Sequence, residues 1–321
     1  MTCRFCRRIL LLLLLPACIR GDSAGEILRI VRGQPHRYLR DYRFHPATPL
    51  LDRVVPIPPA TLQWLRAMDA NPGYAPHTLS PAEKKLLGTV LAELPPLIRR
   101  VMRERLVAIH VLSDFMGAGM ADFVPFAPQE GYSVLFLNRG VFTNSFAGWL
   151  NLREGSAFRP GRFRIRYSLG RDLPALQYVL LHEGAHFADY ACRLTPVVEP
   201  DLDRVLLALG RRPAPSTTSP ELSPFTAGVW RTISQPVDRF DLPQRTRIRF
   251  YNPAGALPAA ELLPLARRLA ATPFPSFYAS LSWAENLAES LTFYHLTTIL
   301  KIPVVLQILD GGKSVFEYKW A

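Results

Sequence analysis

The chain has 321 residues, enough for one large domain or two modest ones, and 49% of them are hydrophobic against 20% charged. That balance excludes an intrinsically disordered chain. The formal charge is +12, but the basic residues are scattered, mostly arginine, and form no helix-turn-helix, zinc-finger or RNA-recognition pattern, so nucleic acid is not an expected partner.

Arg4, Arg7 and Arg8 precede an unbroken apolar run over residues 9–15, followed by Pro16-Ala17-Cys18. A basic start, a short apolar stretch and small residues predict a secretory signal peptide over residues 1–17. The run is far shorter than the ~20 residues a membrane-spanning helix needs. Leu15-Pro16-Ala17-Cys18 resembles the bacterial lipobox, which implies acylation of Cys18 and attachment to a membrane; cleavage near Ala17 or Ala24 is the alternative. The expected location is the bacterial cell envelope, periplasmic or lipid-anchored, with secretion as the alternative. Loss of residues 1–17 removes three arginines and leaves about +9, a charge suited to an anionic envelope surface or to a solvated arginine-rich one. Cys3 and Cys6 depart with the signal, so Cys192 stands alone and no disulfide framework is expected.

Residues 18–58 are polar and proline-containing and read as a loosely structured lead-in to a single domain over 59–321. Ser80-Pro81-Ala82-Glu83 is a capping box with proline at the first helical position. It predicts a helix to about Glu93, and Leu94-Pro95-Pro96 starts another that ends near Arg105. LVAIHVL (106–112) and YSVLFLN (132–138) are short apolar runs rich in β-formers and predict strands. A long helical pattern covers residues 172–192. Residues 210–224, rich in Pro, Ser and Thr, are the clearest loop. Residues 247–251 are a further strand candidate, and 262–270 and 283–301 read as helices. The end, PVVLQILDGGKSVFEYKW, predicts a β-hairpin turning at Asp310-Gly311-Gly312. Strands and helices mix without strict βαβ alternation, which makes the fold class α+β.

The helical pattern over 172–192 contains LLHEGAHFADY. Residues four apart share a helix face, so His182 and His186 can aim a ring nitrogen at one ion. Glu183 sits one residue round, where it can act on water at that ion instead of on the ion itself. Two imidazoles and a carboxylate on an otherwise apolar helix are costly without a partner. A hydrolytic zinc wants a third protein ligand and an open fourth position. Cys192 lies six residues past His186, about 240° round the helix at 100° per residue, and fits poorly. Glu285 and Glu289, four apart on another apolar helix, fit better: Glu285 as third ligand and Glu289 as hydrogen-bond partner of a ligand imidazole. His295 is a further alternative, off the face of Glu285.

HExxH on one helix with a distant glutamate on a second resembles the gluzincin metallopeptidases, and the two blocks are most similar to the anthrax lethal factor catalytic domain type. That resemblance rests on about thirty residues and includes Asp189 after the second histidine, Tyr278 seven residues before Glu285, and Glu285 to Glu289. It implies one Zn²⁺ per chain on His182, His186 and Glu285, with Glu183 as general base and proton shuttle. Tyr278 is implied to stabilise the oxyanion or protonate the leaving amine, with Glu289 and Asp189 supporting the ligands. It further implies a zincin-like fold: a small mixed sheet on the HExxH helix, a mainly helical C-terminal lobe, and an edge strand that pairs with extended substrate. Residues 132–138 are the candidate for that strand. The expected function is an exported zinc endopeptidase that hydrolyses peptide bonds of a peptide or protein by metal-activated water. A non-catalytic zincin-fold lipoprotein serving as a scaffold, or a zinc amidase of cell-wall peptides, are the rival readings.

Overall fold

A computed structural model describes residues 33–125, 127, 131–196, 223–252 and 256–320. The expected signal over 1–17, Cys18 and most of the 210–224 loop lie outside the described residues. The class is α+β.

Two runs of β-branched and aromatic residues make the central strands, β2 (Leu106–Ser113) and β4 (Ser133–Asn138), which pair in parallel. Almost every residue in them is buried, as expected of strands covered on both faces. The short β1 (Ala75–Pro76) and β3 (Gly119–Phe123) flank them antiparallel, giving the order β1-β2-β4-β3. β3 is therefore the edge, and residues 132–138, expected there, lie inside the sheet. The expectation failed because β3, GMADF, carries glycine and aspartate and too little apolar alternation to be read as a strand.

One face of this sheet packs on α2 (Pro81–Glu93), α3 (Pro96–Arg105) and α5 (Ala175–Cys192). Ser80 caps α2 reciprocally with Glu83. α5 is buried along most of its length and ends at Arg193 in the left-handed region, φ 52°. It lies so close to α3 that a Cβ on Gly184 would collide with Ile98 Cγ2. The other face is covered by α1 (Pro59–Met68) and by Leu39, Tyr42, Phe44 and Ile57, around Leu65, Tyr74, Phe115 and Phe136, while Leu50, Leu51 and Val54 pack with the first face. Here the expected loose lead-in is corrected for its described part. His36, Arg37 and Arg53 are each at most 3% exposed, and Arg53 donates to the carbonyls of Pro46, Thr48, Met102 and Arg103. A buried guanidinium that ties this many carbonyls fixes the segment to the domain, although most of its residues stay exposed or half-buried.

The second half is less helical than expected. β5 (Phe163–Leu169) joins the C-terminal hairpin β8 (Val304–Asp310) and β9 (Lys313–Trp320) in an antiparallel sheet, and β6 (Trp230–Thr232) and β7 (Gln235–Pro236) form a small ladder. The hairpin turns on Gly311 and Gly312, both at positive φ. α4 (Phe146–Ser156) and α6 (Leu262–Leu269) pack on the β5–β8 layer, and α7 (Trp283–Tyr294) packs on α5. Residues 247–251 are no strand: a 3₁₀ turn over Arg245–Arg247 and a positive φ at Tyr251 break the extended run. Beyond α7 the helical path continues to Ile299 as a π-helical turn. Among the described residues no helix is long and apolar enough to cross a membrane.

Candidate metal centre

The α5–α7 contact decides which side chains meet. On α5, His182 and His186 project from one face, their rings 4.9 Å apart. On α7, Ser282 is the N-cap and its Oγ accepts from Glu285 N at 3.1 Å. In a complete capping box the carboxylate three residues on reaches back to the cap; here Glu285 turns its carboxylate to the histidines. His182 Nε2 to Glu285 Oε2 is 3.1 Å, His186 Nε2 to the same oxygen 3.5 Å, and the two Nε2 atoms are 3.3 Å apart. Two donors each about 2.0–2.1 Å from a tetrahedral zinc are about 3.3–3.4 Å apart, so the three atoms have the spacing of one face of that tetrahedron. Glu285 Oε2 is buried and finds no hydrogen-bond donor of good geometry. These residues alone, among the described ones, form a group able to hold a metal ion.

Glu289 completes the arrangement from one turn along. Its Oε1 lies 2.8 Å from His182 Nδ1, which places a ring proton on Nδ1 and turns Nε2 toward Glu285. Glu289 is fully buried and held by Arg153 through two bonds of 3.1 and 2.7 Å, by Ser276 Oγ at 2.6 Å, and by the Tyr178 hydroxyl. Burial works against this charge, but Arg153 and His182 outweigh it and hold its carboxyl well below the usual range. Glu285 is likewise held low, against burial, by the two histidines. Burial disfavours a charged His182, yet Glu285 and Glu289 lift it to about 10, and Glu285 lifts His186. Neighbouring Glu154 is pushed up to about 7, chiefly by burial and despite Arg153. Four carboxylates (Glu154, Glu183, Glu285 and Glu289) thus gather near one guanidinium, which pairs with Glu154 and Glu289, and burial pushes Glu154 and Glu183 toward neutrality. Two protons on the imidazoles balance the surplus, and a divalent cation in their place would balance it equally.

The donor triangle opens on a cleft of about 500 Å³ that Glu183, Tyr278 and β3 also line. Glu183 is 7% exposed, and its Oε2 accepts from Ala121 N at 2.7 Å. Burial raises its carboxyl above the ordinary range, the histidines opposing. β3 comes this close because residue 119 is glycine: a Cβ there would meet Val179 at 2.8 Å. Ala118 and Val124 bond to the β4 side, so alternation turns the backbone of Gly119, Ala121 and Phe123 outward. Phe123 O is taken by Arg37 at 3.0 Å, which leaves the groups of Gly119 and the carbonyl of Ala121 toward the cleft. The Tyr278 ring lies 5.8 Å from that of His182, and its phenol is kept protonated by burial and by Glu285.

Of the remaining expected residues, Asp189 lines the cleft, but its two oxygens accept from Thr195 N and Oγ1, both at 2.7 Å. It therefore pins the end of α5 to the following loop. Cys192 is exposed at that end, and His295 is buried beyond α7; neither belongs to the donor group. Sequence reasoning missed Arg153, Glu154, Tyr178 and Ser276. Tyr178 lies four residues before His182 and was legible as a third member of that face. Arg153 and Glu154 look in sequence like any solvated helical charge pair. Compared with models of protein families, with curated proteins and with solved structures, the chain finds no match.

Proposed function

We propose that this chain is a zinc-dependent endopeptidase of zincin type, with His182, His186 and Glu285 as the metal ligands. The observation that carries the reading is the triangle of three donor atoms 3.1–3.5 Å apart beside a buried glutamate in an open cleft. When bound, zinc supplies Lewis acidity, which polarises a carbonyl and lowers the pKa of water. The chain's own groups do the rest. Glu183, anchored through one oxygen to Ala121, takes a proton from the attacking water with the other and passes it to the leaving nitrogen. Tyr278 donates its phenolic proton in a hydrogen bond to the substrate oxygen as negative charge develops there. Gly119 and Ala121 offer backbone groups to an extended peptide, which favours a polypeptide substrate over a compact one. Export through residues 1–17 would place this activity in the cell envelope or outside the cell, with Cys18 as a lipid anchor.

Elemental analysis of chain 22–321 is expected to give about one zinc per molecule, and much less in Glu285→Ala. Equal zinc in both would remove Glu285 from the ligand set. Glu183→Gln is expected to keep its zinc and lose hydrolysis of casein by about 10²–10⁴-fold; turnover by a pure, metal-loaded variant at the parent rate would refute the base assignment.

A further inference from the structure

Resting on that reading, we infer that Arg153 is the positioning residue of the centre, a single guanidinium that orients both the ligand imidazole of His182 and the phenol of Tyr278. Arg153 is 3% exposed and projects from α4, an element that supplies no ligand. Its two terminal nitrogens grip both oxygens of Glu289, at 3.1 and 2.7 Å, and Glu289 Oε1 receives His182 Nδ1 at 2.8 Å. A planar, bidentate fork fixes the carboxylate in rotation as well as in position, which a point charge cannot do. The carboxylate plane in turn fixes the imidazole plane and its tautomer.

The same guanidinium carbon lies 4.5 Å from the centre of the Tyr278 ring and 5.2 Å from that of Tyr178. A cation over an aromatic face holds the ring against it. Tyr278 sits on a 3₁₀ turn, Tyr278–Ser280, packed against α7, and its ring is held between Arg153 and Phe250, whose ring centre lies 5.1 Å away. The preceding residues are tied into the same knot: Ser276 Oγ donates to Glu289, and Phe277 N donates to Glu154 at 2.9 Å, whose other oxygen accepts from Arg153 Nε at 2.9 Å. Ligand helix, glutamate helix and tyrosine turn thus converge on Arg153.

The test compares Arg153→Lys with Arg53→Lys, the same exchange at an equally buried arginine remote from the cleft. Zinc affinity is measured on the zinc-free chains by competition with a chelator, and kcat and KM are measured on casein at saturating zinc. Both variants are expected to unfold at lower temperature. Only Arg153→Lys is expected to bind zinc more weakly, by about 10–100-fold, and to lose kcat with little change in KM. Should Arg153→Lys not fold, the double variant Arg153→Gln/Glu289→Gln keeps a neutral bonded pair in place of the ion pair, and about 10-fold weaker zinc is expected there too. Parental zinc affinity and kcat in the Arg153 variant, or equal zinc losses in both lysine variants, would overturn the inference and leave the zinc reading intact. A parent chain that takes up no zinc would overturn both.

Discussion

The two faces of the β1–β4 sheet each bury a cluster of histidine, arginine and carboxylate, and the clusters differ in one respect. On the far face, Asp122 accepts from His36 Nε2 at 2.6 Å, from Arg37 Nη1 at 2.8 Å and from Phe123 N at 2.7 Å. Burial opposes its charge, but Arg37 and His36 hold the carboxyl below its usual range. One carboxylate meets one guanidinium and one imidazole, and its charge is matched within the cluster. On the near face Arg153 pairs with Glu154 and Glu289, and where three donor atoms converge beside Glu285 the balancing charge is carried by protons on His182 and His186. The closed cluster ties a segment to a sheet; the open one, on the proposed function, takes a cation in place of the imidazole protons.

Breaking the closed cluster should cost stability and nothing else. Asp122→Ala strands a buried guanidinium and is expected to destabilise the chain by about 3–5 kcal/mol, read by urea unfolding, while zinc per molecule stays unchanged. A parallel loss of zinc would show that the clusters are coupled through β3. The open cluster makes the reverse prediction. Zinc at about 1,000 times its dissociation constant is expected to stabilise the chain by about 4 kcal/mol, raising the melting temperature of the parent but not that of Glu285→Ala. An equal rise in both would place zinc elsewhere.

A smaller effect concerns His110, which packs near His36 on the far face. Burial, with a smaller contribution from His36, lowers His110 from 6.5 to about 4, although its Nδ1 bonds Val55 O at 2.9 Å. Below pH 6.5 the unfolded chain takes up a proton at this residue and the folded chain does not until about pH 4. His110 therefore withdraws stability as the pH falls through that window, by at most about 3 kcal/mol. His110→Phe is expected to flatten the fall between pH 6.5 and 4 relative to the parent. Parallel stability–pH curves for the two chains would exclude His110 as the source.

Legibility in the sequence followed the range of the interactions. The helix opened by Ser80 and Glu83, the strands from LVAIHVL and YSVLFLN and the hairpin on Gly311-Gly312 are set by caps, β-branched runs and glycine turns acting within a few residues. The HExxH face and the Glu285 to Glu289 pair were legible for the same reason, since helical periodicity alone puts each pair on one side. β3 was not: its strand is imposed by pairing with β4 and by the glycine that admits it beside α5. The lead-in misled because its buried His36, Arg37 and Arg53 are polar side chains with partners as far as 49–86 residues away.

The sequence by itself determined that His182 and His186, and likewise Glu285 and Glu289, sit on one side of their own helix, because helix periodicity is local. Only the tertiary structure decided that Glu285 turns from its capping role to the histidines, that β3 and not β4 forms the edge, and that Arg153 holds Glu289 from a third helix. These are decisions about unlike charges brought together in a buried place. Their energy depends on separations and solvent exclusion that exist only once α4, α5 and α7 have packed.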